Sequence, residues 1–117
     1  SAHADILRPK FDLVSMILEE ELSDMAIADW TKPNGGYFVS FDVMDGLAKE
    51  IVHLAKDVGL TLTPAGATFP YGIDPKDKNI RIAPTFAKLS ELESAMKVLT
   101  LCTKLASARK ILNQGRL

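Results

Sequence analysis

Arg81 is the residue best suited to chemistry in this 117-residue chain. It alternates with isoleucines in Asn79-Ile80-Arg81-Ile82-Ala83, which predicts a strand with Ile80 and Ile82 on one face and Arg81 and Ala83 on the other. A guanidinium presented from rigid backbone can grip a carboxylate through two parallel charge-assisted hydrogen bonds, which a lysine ammonium cannot copy. The same residue type also serves as an edge-strand charge that blunts aggregation, or pairs with a local acid. Residue type alone leaves both readings open.

Other chemistries lack their parts. The only histidines are His3 and His53, and His53 falls about 200° from Ile51 around its helix, on the wet side. Asp74, Asp77 and Asn79 crowd one loop, but their spacing does not match a calcium loop, so no metal site is expected. The single cysteine, Cys102, rules out an intrachain disulfide and sits on an apolar helix stripe. There is no Gly-x-Ser-x-Gly and no histidine suited to act as a base. Gly35-Gly36 lacks the rest of a dinucleotide fingerprint, and Gly66 to Gly72 lacks phosphate-loop spacing and its Lys-Ser/Thr ending. The chain therefore has no self-sufficient active site.

Arg81 needs elements to hold it. Ile6, Leu7, Phe11, Val14, Ile17, Leu18 and Leu22 recur at helical spacing, predicting a helix over 4–22 whose regular part starts near Pro9. A short apolar stretch, Met25 to Trp30, precedes the turn signal Thr31-Lys32-Pro33-Asn34-Gly35-Gly36. Tyr37 to Phe41 reads as a strand with Tyr37, Val39 and Phe41 on one face and Phe38 and Ser40 on the other. Asp42 is a good N-cap for a second helix buried through Leu47, Ile51, Leu54, Ala55 and Val58 and ended by Gly59. Leu60 to Thr63 is a further strand. The loop 64–78, rich in Gly and Pro, is long enough to be functional, and a strand over Asn79 to Pro84 follows it. Ser90 and Glu93 form a capping box for a last helix, with Leu92, Ala95, Met96, Leu99, Cys102 and Ala106 down one side.

The order is helix, strand, strand, helix, strand, strand, helix. It predicts an α+β two-layer sandwich, a small, mostly antiparallel sheet carrying three helices on one face. The other face stays open, with Arg81, Phe38 and Ser40 on it. One domain over residues 1–117 fits the length, with a radius of gyration of about 13 Å.

Composition bounds the function classes. Apolar residues make up 47% and charged residues 25%, ordinary for a folded domain. The net charge of −1 gives no reason to expect nucleic acid or an anionic membrane. Residues 58–73 are uncharged, but they are fewer than the roughly 20 of a spanning helix and are broken by Gly and Pro. With Asp5, Arg8 and Lys10 in residues 1–10, no secretory signal is expected there, and Ser1 as first residue reads as a chain processed, tagged or cut from something longer. Residues 1–58 carry five Lys/Arg against eleven Asp/Glu, and residues 59–117 nine against four. That contrast reads either as a basic anion-seeking surface or as the charge polarity of the last helix.

Three segments together are more specific. Trp30-Thr31-Lys32-Pro33-Asn34-Gly35-Gly36-Tyr37-Phe38-Val39, Thr63-Pro64-Ala65-Gly66-Ala67-Thr68-Phe69 and Asn79-Ile80-Arg81-Ile82-Ala83 resemble the C-terminal small domain of fold type I pyridoxal-phosphate-dependent aminotransferases, in an aspartate-aminotransferase-like branch. The resemblance covers most of the chain. It implies that residues 1–22 end the interdomain helix and that residues 23–117 form the sheet and helices. It further implies that Arg81 holds the substrate α-carboxylate, that Phe69 lies near the domain cleft, and that Gly35 and Gly36 are turn glycines. The family's Schiff-base lysine lies well upstream of that arginine, and none of Lys10, Lys32, Lys49 or Lys56 stands in a matching context. The resemblance thus implies a fragment, inactive alone and without bound cofactor, of a cytoplasmic and homodimeric parent that acts on amino acids and 2-oxo acids. The alternatives are a stand-alone module binding amino acids or other small carboxylates, and a pure interaction domain.

Overall fold

The computed structural model describes residues 2–31, 38–64, 74–84 and 87–115. Seven elements follow in the expected order: α1 (Ala2–Leu22), β1 (Ala28–Thr31), β2 (Val39–Val43), α2 (Ala48–Leu54), β3 (Thr61–Pro64), β4 (Asn79–Ala83) and α3 (Leu89–Gln114). The strands form one antiparallel sheet in the order β1-β2-β4-β3. Period-two alternation sorts their side chains: Val39, Phe41, Val43, Ile80 and Ile82 are buried, while Ser40, Asp42, Asn79 and Arg81 are half-buried on the other face. The buried set joins Val14, Ile17, Leu18 and Leu22 of α1, Ile51 of α2, and Leu92, Met96 and Leu99 of α3 in a single core. Three helices thus cover one face of the sheet, an α+β architecture. Its radius of gyration is 14.2 Å, above the expected value because two long helices extend the layer.

Several local expectations are corrected. Pro9 lies inside α1 rather than at its start, as a missing hydrogen-bond donor within a continuing helix. Strand β2 runs on to Val43, because the apolar alternation continues into the core and the Val43 N–H donates to the Lys78 carbonyl at 2.7 Å. Asp42 is therefore a strand residue, not a helix cap. The cap of α2 comes from a distant segment: the Ala48 N–H donates to the Asp77 carbonyl at 2.9 Å and the Lys49 N–H to Asp77 Oδ1 at 3.1 Å. Asp77 takes up a left-handed backbone conformation (φ +46°) to reach it. Helix α2 then stops at Leu54, which is exposed; Val58 is half-buried, and Gly59, at φ +87°, turns the chain into β3.

The Ser90–Glu93 capping box does not form either. Helix α3 starts one residue before Ser90, its N-cap is Lys88, and no side chain caps it. Its buried side carries Leu92, Ala95, Met96, Leu99 and Ala106 as expected, with Cys102 only partly buried. Thr103 joins this side because its hydroxyl donates to the Leu99 carbonyl at 2.9 Å, a bond internal to the helix. The outward side is also apolar: Val98, Leu101, Leu105 and Leu112 are 40%, 64%, 45% and 63% exposed. The last helix is less one-sided than its buried stripe alone suggests.

Candidate functional site

The open face of the sheet is built from rows. Antiparallel register aligns Thr31, Ser40, Arg81 and Thr63 across all four strands. A second row, Asp29, Asp42 and Asn79, lies beside it. Directly opposed residues in such a ladder point to the same side, so both rows share the face away from the helices. Arg81 and Ser40 therefore sit where the sequence alternation puts them.

Arg81 projects from β4, which is flanked by β2 and β3, so the guanidinium stands on an interior strand. The edge-strand reading of this charge is thereby excluded. Its Cζ lies 4.3 Å from the centroid of the Phe38 ring, a cation–π contact that rests the flat guanidinium against an aromatic face. Phe38 and Arg81 are both half-buried. Ion pairs among the described residues include Lys97–Glu93, Lys104–Glu21 and Arg109–Glu50, each with a partner on α3. None engages Arg81. Pairing with a local acid, the other bland reading, is not what the described residues do.

Asn79 links the neighbouring row to the row of Arg81. Asn79 Nδ2 donates to Asp42 Oδ1 at 2.7 Å and to Ser40 Oγ at 2.9 Å. The loop before β4 is tied down by Asp74, whose Oδ2 accepts from the backbone N–H groups of Lys78 at 3.0 Å and Asn79 at 3.2 Å. Of the three residues met in the sequence as a crowded loop, Asp74 and Asp77 thus hold backbone N–H groups, while Asn79 opens β4 and bonds the side chains of Asp42 and Ser40. Among the described residues no cluster of His, Cys, Asp or Glu could hold a metal ion. His53 is exposed on α2, as its spacing predicted. Burial pushes the Cys102 thiol up from its ordinary value, the direction opposite to that of a reactive cysteine.

The arrangement presents one strongly hydrogen-bonding cation, backed by an aromatic ring and free of described carboxylate partners. Such a group binds an external carboxylate or similar anion. It does not break bonds by itself. Among the paired strand residues of this face there is no lysine amine of the kind that anchors a pyridoxal cofactor. Phe69, Gly35 and Gly36 lie outside the described residues, as does most of the loop 64–78. The coupling of Asn79 to Asp42 was not read from the sequence. Its only sequence signal is that both residues share strand parity with Arg81 or Ser40.

Comparison with known proteins is consistent along the chain. The family model described as aspartate amino-transferase matches residues 1–115. A Mycolicibacterium smegmatis protein assigned by name as an aminotransferase is 52% identical over 110 residues, covering 94% of this chain and 26% of that protein. The aspartate aminotransferase of Corynebacterium glutamicum is 44% identical over 111 residues, again 95% of this chain and 26% of the relative. The crystal structure of an aspartate transaminase from Corynebacterium glutamicum superposes with a TM-score of 0.85 at 44% identity, over 93% of this chain and 26% of that one. The chain spans about a quarter of the length of these relatives. Among the described residues no helix is long and apolar enough to cross a membrane.

Proposed function

This chain belongs to the aspartate amino-transferase family, and from that premise we propose that it is the carboxylate-gripping C-terminal part of a pyridoxal-phosphate-dependent aminotransferase. The parent enzyme moves an amino group between an amino acid, with aspartate the leading candidate, and a 2-oxo acid. The observation that carries the reading is Arg81 itself: half-buried, on an interior strand, stacked on Phe38 and without a described ion-pair partner.

In this reading the guanidinium takes the substrate α-carboxylate through two parallel hydrogen bonds and so fixes the direction of the Cα–H bond. Orienting a reacting bond in this way removes rotational freedom that would otherwise be lost at the transition state. Pyridoxal phosphate, when bound, supplies the electron sink. Its anchoring lysine and phosphate site are assigned to the rest of the enzyme, so this chain alone should not transaminate. Phe69 is proposed to approach the cleft between the two parts, with Gly35 and Gly36 making the turn ahead of β2. The same proposal has the parent working as a cytoplasmic homodimer.

The test is kinetic and uses the full-length enzyme. Arg81→Ala should lower kcat/KM by about 2–5 kcal/mol of transition-state binding, the usual effect of deleting one partner of a desolvated charge pair. Arg81→Lys should recover only part of it, because an ammonium cannot reproduce the planar fork. Wild-type kinetics in Arg81→Ala would overturn the assignment.

A further inference from the structure

Asp42 and Arg81 are diagonal neighbours on the open face, since Asp42 pairs with Asn79 and Ser40 with Arg81. Diagonal positions across an antiparallel pair are about 7–8 Å apart, within reach of a long side chain. An aspartate and an arginine so placed are natural partners for an internal ion pair. Such a pair would occupy the hydrogen-bonding edge that a ligand carboxylate needs. It is not among the ion pairs of the described residues.

Two contacts account for its absence. Asn79 Nδ2 donates to Asp42 Oδ1 at 2.7 Å, which ties the carboxylate to its own row, and also to Ser40 Oγ at 2.9 Å in the row of Arg81. The guanidinium, in turn, rests 4.3 Å from the ring of Phe38. Phe38 and Asp42 are each two residues from Ser40 along the chain, in opposite directions, so the arginine leans away from the acid. Asparagine suits this task because its amide supplies donors without adding a second cation beside the first.

We propose that Asn79 is a positioning residue that keeps Arg81 available to an external carboxylate by holding Asp42 out of an internal ion pair. This deepens the reading of Arg81 as the carboxylate receptor and rests on it. Asn79 acts through Asp42 and touches no reacting atom. Removing it frees Asp42 to compete with the ligand for one guanidinium.

The experiment uses the full-length enzyme, with propionate as the monocarboxylate probe. Its affinity is read both by calorimetry and as a competitive inhibition constant, alongside KM and kcat for the amino-acid substrate. Asn79→Leu should weaken propionate and raise KM by about threefold to fivefold with kcat unchanged, since a half-exposed ion pair competes only modestly. Adding Asp42→Asn to that variant should bring both constants back to within about twofold of wild type, because the competitor has lost its charge. Asp42→Asn alone should bind propionate at least as well as wild type. Should Asn79→Leu not accumulate as folded protein, Asn79→Ala with and without Asp42→Asn makes the same comparison.

Wild-type propionate affinity in the Asn79 variant overturns the proposal. So does a defect that persists after Asp42→Asn, which would mark Asn79 as merely structural. Arg81→Ala separates the two levels: propionate weakened there but unaffected by Asn79 replacement removes only the role of Asn79. Unchanged propionate affinity in Arg81→Ala removes the receptor reading itself.

Discussion

At the scale of single residues, the open face depends on how one guanidinium is kept flat, oriented and unpaired. Its flatness is intrinsic to the delocalised cation, and the Phe38 ring contact bears on its orientation. That contact belongs to the class worth about 0.5–1 kcal/mol when partly exposed. Phe38→Leu should therefore weaken carboxylate binding by about twofold to fivefold, while Phe38→Tyr should keep it, measured as KM and as inhibition by propionate. Equal constants in Phe38→Leu and wild type would show that the ring does not orient the arginine. The placement of Arg81, Phe38 and Ser40 on one face was legible from period-two parity, because Ile80, Ile82 and Val39 had to point to the core. The hold of Asn79 on Asp42 was not legible. It exists only through the β2–β4 register, which pairs residues far apart in the chain and which no local pattern specifies.

At the scale of elements, local signals gave the number, type and order of helices and strands, because each carries its own period. Boundaries failed where tertiary partners replaced local caps. Asp42 looks like an N-cap in sequence, yet its backbone is spent on the β1–β2–β4 ladder, and Asp77 caps α2 from across a loop. Ser90 lost its cap role for a different reason: α3 begins one residue earlier, with Lys88 at the N-cap and no side chain capping it. Helix docking also carries a titratable tie: Lys104 Nζ donates to Glu21 Oε2 at 2.8 Å, joining α3 to the end of α1. That hydrogen bond, followed by the lysine charge, lowers the Glu21 carboxyl below its usual value. A carboxyl lowered on folding adds stability above its unfolded value, and the gain is lost as pH falls through the folded one. Glu21→Gln should thus melt below wild type at neutral pH, and the gap should close as pH drops beneath the ordinary carboxylate range. A gap independent of pH in thermal melts would rule out the ionic contribution. The effect should be small, because both side chains are about a third exposed.

At the scale of the whole molecule, helices cover one face of the sheet, and on the other face the described strands carry one cation, Arg81. A lone guanidinium in contact with water makes a poor receptor. Titrating this chain by itself with aspartate should give a Kd weaker than about 1 mM, about −4 kcal/mol. Sub-millimolar binding by calorimetry would favour a self-standing amino-acid sensor instead. The sheet order also bears on assembly. β1 with β2 and β3 with β4 are sequence-adjacent hairpins, whereas the β2–β4 pairing joins the two halves of the sheet. Phe38, Ser40, Asp42, Asn79 and Arg81 all straddle that one seam. Neither hairpin holds a working half, so anion recognition should arise only when they zip together, the pairing that closes the longest loop within the sheet. When the full-length enzyme refolds, carboxylate affinity should return no sooner than the β2–β4 pairing forms, which would make ligand uptake a clock for the docking of the two hairpins.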